Sequence, residues 1–435
     1  MKAEKLLSAL AVLLALAICA MLGVIVWLSL DNNLRADRLY AAGDYSSARV
    51  FYARAKNEKK VELCDEMILE NRYLDARRVL QNGNYEMARV LLEQLGDYKD
   101  SANLLKTCEA MEAAALAASG DVERALELYQ SLGDFPGSQR AIGEMAAALY
   151  DKAAELASAF EIDRACRIWE ALGDFRDCPI LLKRGEAIRQ QLADPMRIRI
   201  DDPSHQVLGD LCGRVYEWED AYFVLPEEAD GDTRFLLYYP GGLNEELYIE
   251  YFTAYLKLPA PDTVAVFLRK NGLPDTQSMA ARAAELLDQA AADCGVFPRE
   301  VMVIGSSLGV YPALHSPLVL QREFAISVPC CLALDAGNDW KEKAMLLSRA
   351  QCRTLAGLGT ELYLFESPWV GMDRPAIRDL VNTGNRVWLV GCERDDHAQI
   401  TFDAMSNGVI AWAQGDRTKP CPLACYTISR FEPDE

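Results

Sequence analysis

The chain has 435 residues, 51% hydrophobic and 25% charged, which is too long for one hydrophobic core and too apolar for a disordered chain, so at least two globular units are expected. Its 65 acidic and 45 basic side chains leave a net charge of −20, which repels polyanions and sets nucleic-acid binding aside. Thirteen cysteines occur without a CxxC or Cys/His ligand spacing, and Cys330 and Cys331 are adjacent, which suits neither a zinc site nor a regular disulfide framework.

From Leu6 to Leu30 there are 25 residues without a charge, long enough to cross a bilayer as a helix, and Trp27 sits where interfacial aromatics belong. Ala17-Ile18-Cys19-Ala20 offers neither a clean small-x-small cleavage site nor a lipoprotein cysteine context, so residues 1–30 read as a retained transmembrane anchor and not as a signal peptide. Lys2 and Lys5 precede the span and Arg35, Arg38 and Arg49 follow it, so the positive-inside bias nearly cancels. The short tail with its two lysines favours an inside N-terminus, which places the remainder outside the cytoplasm.

Residues 31–195 repeat themselves. Gly43-Asp44-Tyr45 with Ala48, Gly83-Asn84-Tyr85 with Ala88, and Gly120-Asp121-Val122 with Ala125 recur at spacings of 40 and 37. A second signature, Leu95-Gly96-Asp97-Tyr98, returns as Leu132-Gly133-Asp134-Phe135 and Leu172-Gly173-Asp174-Phe175, with Phe160 in place of the first glycine of the last unit. Each first glycine is expected to end a helix in a left-handed cap, and the Asp or Asn after it to accept N–H bonds at the start of the next helix. The alanine lets the helices approach. The period is that of a helix-turn-helix solenoid, and the segment resembles tetratricopeptide-like repeats, although it lacks their usual tryptophan and proline positions. The resemblance implies either a protein or peptide partner or a stalk that spaces the next domain from the membrane.

After Pro195 the pattern changes to short apolar runs with no alternating polar face, as in buried parallel strands: 222–225, 235–239, 264–268, 301–304, 325–328, 362–365 and 387–390. Helical stretches at 276–294, 310–320, 375–382 and 398–414 alternate with the later ones, predicting an α/β domain over 196–435 with a mostly parallel sheet between helical layers. Residues 196–221 have no assigned place in it.

The run 301–304 leads into Gly305-Ser306-Ser307-Leu308-Gly309 and then into a helix, a GxSxG in the strand-turn-helix setting that such a nucleophile requires. The flanking glycines are needed because the nucleophile's strained turn brings neighbouring backbone too close for side chains. A serine hydroxyl also needs a base. Of three histidines, His205 precedes the sheet, His315 lies in the helix just after Ser307, and His397 follows the last strand in Glu393-Arg394-Asp395-Asp396-His397.

With the loop Tyr239-Pro240-Gly241-Gly242-Leu243, these features resemble α/β-hydrolases of the esterase group over about 200 residues, the Gly-Gly loop standing for the HGGG signature without its histidine. The resemblance implies that Ser307 attacks an ester or similar acyl carbon to give an acyl-enzyme, that His397 is the base, and that an acid after the strand 362–365 orients it. Asp373 is the candidate acid, with Glu366 and Asp335 as rivals. The oxyanion donors would be the Leu308 N–H and that of Gly242 or Leu243. No metal or organic cofactor is implied. An acyltransferase would use the same triad, and a scaffold that binds its partner through the repeats and carries an inactive hydrolase-like domain is the non-enzymatic alternative.

Overall fold

The computed structural model describes residues 2–207, 215–241, 262–269, 276–334, 347–366, 374–392, 409 and 426–430. By their contacts the residues divide into two compact units, Met1–Met145 and Ala146–Glu435.

The first unit begins with α1 (Lys2–Ala41), a helix of 40 residues that holds both the apolar run and the first repeat helix. Its one stretch long and apolar enough to cross a membrane has a mean hydropathy of 2.8. Side chains from Leu10 to Leu28 are all exposed, and covering begins at Ser29. Six helices follow: α2 (Tyr45–Arg54), α3 (Glu58–Gln81), α4 (Tyr85–Leu95), α5 (Ser101–Ser119), α6 (Val122–Ser131) and α7 (Ser138–Glu144). The expected caps are present. Gly43, Gly83 and Gly120 have φ of +82°, +76° and +92°, and Asp44, Asn84 and Asp121 accept from the amides of Ser47, Met87 and Arg124. Ala48, Ala88 and Ala125 are fully buried, and so are Ala36, Ala76 and Ala113, each twelve residues earlier on the preceding helix. Small residues on both members of each pair let the two backbones close up, and Tyr52, Leu92 and Tyr129, four residues past the later alanines, are buried beside them.

The second unit starts with α8 (Ala146–Ser158), α9 (Ile162–Leu172) and α10 (Cys178–Ala193). The alanine spacing continues in Ala153 and Ala165, both fully buried, and Phe160 adopts the left-handed φ of +57° at the position held by glycine in the earlier repeats. These helices belong to the same compact unit as the sheet, so the contact boundary falls at 145/146 and not at the 195/196 change of sequence pattern. The physical reason is a buried connection. Arg184 of α10, 4% exposed, forks onto Asp288 with Nη2 2.6 Å and Nε 3.1 Å from its carboxylate, and donates to the carbonyls of Phe324 and Pro298 at 2.9 Å. Its guanidinium also stands 4.6 Å from the centre of the Phe297 ring, which packs in turn on Trp169.

The sheet has nine strands in the order β1-β2-β4-β3-β5-β6-β7-β8-β9. They are β1 (Val215–Trp218), β2 (Ala221–Val224), β3 (Arg234–Tyr239), β4 (Thr263–Leu268), β5 (Met302–Ser306), β6 (Cys330–Leu334), β7 (Glu361–Glu366), β8 (Arg386–Cys392) and β9 (Tyr426–Arg430). The pairings from β4 through β8 are parallel, as expected of unalternating apolar runs, and β1–β2, β2–β4 and β8–β9 are antiparallel. Helices α11 (Thr276–Cys294), α12 (Val310–Phe324), α13 (Arg349–Leu358) and α14 (Arg374–Asn382) share one apolar core with one face of the sheet, through residues such as Leu287, Leu314, Leu355 and Ile377 against Leu237, Val303, Ala333 and Leu364.

One expected strand is displaced. Residues 325–328 do not form it: Ala325 caps α12 in the left-handed region, Ser327 makes an isolated bridge to Glu300, and the strand begins at Cys330, after Pro329. Of the expected helix 398–414 only Val409 is described, and it is helical.

Candidate active site

Five parallel strands carry the candidate chemistry to one edge of the sheet. Register pairs Tyr239 with Gly305, Ser306 with Leu334, Leu334 with Phe365, and Glu366 with Gly391, so β3, β5, β6, β7 and β8 end side by side. The chain runs outward from β3 to β4, then returns across β3 to start β5. The reversal falls between β3 and β5, and open α/β sheets bind ligands at the C-terminal ends of the strands at such a point.

Ser307 is the residue at that point. It follows the last residue of β5 and opens a short 3-10 turn, Ser307–Gly309, leading into α12, with φ of +51°. An L-residue in the left-handed region costs about 1–2 kcal/mol, so surrounding packing must impose it. Here it does so through three glycines. A Cβ on Gly305 would stand 2.3 Å from the Gly309 carbonyl oxygen, and one on Gly309 would stand 2.2 Å from that of Tyr239 and 2.6 Å from that of Pro240. A Cβ on Gly241 would lie 2.6 Å from Ser307 Cβ and 3.2 Å from Ser307 Oγ. The glycines of GxSxG are therefore steric requirements of this backbone, and the loop after β3 packs directly on the serine. Ser307 and Leu308 are both half-buried at the surface, whereas Ser306 beside them is buried.

The sequence named Gly241 as part of the loop after β3 but did not show its contact with Ser307, nor the hydroxyl network behind the turn. Tyr238 OH and Ser306 Oγ, both buried, share a hydrogen bond of 2.6 Å across β3 and β5. Ser316 Oγ hydrogen-bonds with the Tyr239 hydroxyl at 2.7 Å and the Pro312 carbonyl at 2.8 Å, and burial pushes the Tyr239 phenol above its ordinary range. Buried hydroxyls in mutual contact fix both sides of the turn. The signal was the pair of tyrosines, Tyr238 and Tyr239, at the end of a buried central strand.

His205 packs edge-on against Trp218 of β1, with ring centres 4.9 Å apart. That strand is four positions from β5 in the sheet, about 19 Å at a normal strand spacing, so His205 is out of reach of Ser307. His315 lies within α12, eight residues past Ser307 and about 12 Å along a helical path. His397, Asp373, Asp335, Gly242 and Leu243 lie outside the described residues, and Glu366 is described only in its backbone, at the end of β7. In the sequence, Asp335 follows the end of β6 directly, Asp373 lies between β7 and α14, and His397 is five residues past the end of β8. A cavity of about 310 Å³ opens at the opposite edge of the sheet, by Arg234, Met302 and Cys330 at the starts of β3, β5 and β6, away from Ser307.

No family model and no curated protein matches the chain. Among solved structures it is similar to one of two esterases of Rhizomucor miehei, at 14% identity over 43% of this chain and 75% of the other, with a TM-score of 0.29. It is similar also to the NocB thioesterase domain, solved as a covalent complex with a fluorophosphonate nocardicin G analogue, at 16% identity over 45% and 100%, TM-score 0.29. A third is a butyrate-bound thermophilic esterase of the Planctomycetes species Thermogutta terrifontis, at 15% identity over 46% and 95%, TM-score 0.30. Likenesses this distant assign the chain no family; the fold follows from its own sheet order.

Proposed function

We propose that the protein is a membrane-anchored serine hydrolase that cleaves carboxylic esters through an acyl-enzyme on Ser307. The observation that carries this reading is the left-handed Ser307 held between Gly305 and Gly309 at the reversal of strand order. Strain at this one half-exposed serine, with hydroxyls locked behind it, fits a nucleophile aimed outward. In this reading His397 removes the Ser307 proton and later activates water, and Asp373 orients His397, with Glu366 and Asp335 as rivals. The Leu308 N–H and one from Gly242 or Leu243 hold the oxyanion. The membrane-length stretch of α1 is the anchor, with the N-terminus inside and residues 31–435 outside the cytoplasm, and the repeats serve as spacer or as a seat for a protein partner.

The test is turnover of a short activated ester. Because neutral imidazole accepts the proton, the rate should rise with pH through about 6 to 7. Ser307→Ala and His397→Ala should each lower kcat on the order of a thousandfold, and the double variant should be little worse because the pair acts as a unit. Additive losses, or a Ser307→Ala protein with wild-type turnover, would contradict the reading.

A further inference from the structure

The net charge of −20 is not evenly spread, and one of its reversals lies beside the apolar helix. Positions 54–60, Arg-Ala-Lys-Asn-Glu-Lys-Lys, hold four basic residues and one acid. They form the turn from α2 into α3 and the first residues of α3. Since α1 runs away from its apolar end and α2 doubles back along it, this turn returns to the level at which the apolar run stops. Hydrogen bonds fix it there. Ser29 Oγ donates to the Ala55 carbonyl at 3.2 Å, and Asn57 Nδ2 donates to Asn33 Oδ1 at 2.9 Å, while Asn33 Nδ2 donates back to the Ser29 carbonyl at 2.9 Å. Ser29 is the first covered residue after an unbroken exposed stretch from Leu10, and Trp27, 65% exposed, lies half a turn before it.

We infer that the turn 54–60 is a headgroup-binding surface for anionic phospholipids in the leaflet where α1 leaves the membrane. The inference rests on α1 spanning a bilayer. A helix whose apolar run ends at Leu30 puts Trp27 to Ser29 in the interfacial layer, and the turn bonded to Ser29 then sits at headgroup depth. Lys60 is held by Asp37, but Arg54, Lys56 and Lys59 are exposed and in no ion pair among the described residues, Arg54 stacking only over Phe51 at 5.4 Å. Glu58, within the turn, and Glu62 after it are the acids on this surface, and Asp31 is taken up by Arg35. Three unpaired cations against these two acids leave the surface net positive at one depth, which favours phosphate-bearing anionic headgroups over zwitterionic ones by roughly fivefold. The surface fits either leaflet, so it does not depend on which side the soluble part occupies.

The test uses the full chain in lipid nanodiscs of phosphatidylcholine alone or mixed with phosphatidylglycerol, with amide hydrogen exchange read over 54–60. Exchange should be about fivefold slower in the anionic discs, the difference should shrink in high salt, and Arg54→Gln/Lys56→Gln/Lys59→Gln should abolish it. Equal exchange in both discs, or a difference that survives the triple substitution, overturns the inference while leaving the anchor intact. Protection produced by inorganic phosphate in neutral discs would overturn the lipid as the source. A chain that inserts into neither disc would overturn the anchor and the inference with it.

Discussion

Replacing Arg184 by methionine removes the guanidinium that joins α10 to the α/β core while keeping most of the side-chain volume. Asp288, 7% exposed, would lose its ion-pair partner, and the Phe324 and Pro298 carbonyls would each lose a 2.9 Å donor. Burial already pushes the Asp288 carboxyl above its ordinary value, with the Arg184 charge working against that shift, so removing the charge leaves the desolvation unopposed. Breaking such a buried pair costs about 3–5 kcal/mol. At about 2–4 °C per kcal/mol for a unit of this size, Tm should fall by roughly 10 °C. The measurement is urea and thermal unfolding of Ala146–Glu435, with the same pair removed in Arg184→Met/Asp288→Leu. The double variant should recover part of the loss, because no charge remains buried, while the two carbonyls still lack their donor. A chain begun at Arg197, which separate folding of 196–435 would allow, lacks Arg184 and should behave no better than the single variant. If Arg184→Met shifts stability by less than about 1 kcal/mol, the pair is energetically equivalent to an exposed one and the reasoning fails.

Other consequences are open to measurement. Gly309→Ala should destabilise by more than about 2 kcal/mol, since its Cβ meets backbone at 2.2 Å, whereas Gly357→Ala in α13, with open space around it, should stabilise by about 0.5–1 kcal/mol; equal effects in thermal unfolding would show that the turn relaxes freely. Burial pushes the Cys166 and Cys178 thiols up to about 11 and Cys294 to about 12, so near pH 8 all three should resist iodoacetamide until urea is added, and rapid native labelling would contradict their burial. In the first unit, hydrogen bonds from Lys60 and Tyr52 hold Asp37 below its ordinary value, and those from Lys99 and Tyr98 do the same for Glu70. Their contribution is present above the unfolded carboxylate range near 4 and is lost as pH falls through the lower folded values, so the thermal midpoint of the helical signal should fall modestly on acidification, and Asp37→Asn should flatten that dependence.

Much of this architecture could be read from residue types because local physics wrote it. The glycine caps and their Asp or Asn partners were legible since only a left-handed turn followed by an N-cap uses that pair, and Phe160 shows the backbone keeping its φ where the sequence changed. The helix Thr276–Cys294 and the strand-turn-helix around Ser307 fell where the apolar patterns placed them. Misplacement of β6 had a local cause, because Ala-Ile-Ser-Val at 325–328 is as apolar as a strand but is consumed by the cap of α12 and stopped by Pro329. The terminal strands β1 and β9 and the helix α13 went unforeseen, β1 and β9 being only four and five residues long. What joins α10 to the sheet was illegible, since nothing in a lone arginine of an amphipathic helix announces a partner 104 positions away. At the site, sequence found the strained serine and the Gly-Gly loop but not the packing of Gly241 on Ser307 or the Tyr238–Ser306 contact, which exist only once β3 and β5 are neighbours.

The most direct test of Ser307 as nucleophile is to treat the intact protein with a fluorophosphonate and locate the adduct by mass spectrometry. The account predicts a single adduct on Ser307, none on the adjacent Ser306, none in Ser307→Ala, and slowed labelling in His397→Ala. Folded wild-type protein that takes up no label, or a Ser307→Ala variant labelled as fast as wild type, would contradict it.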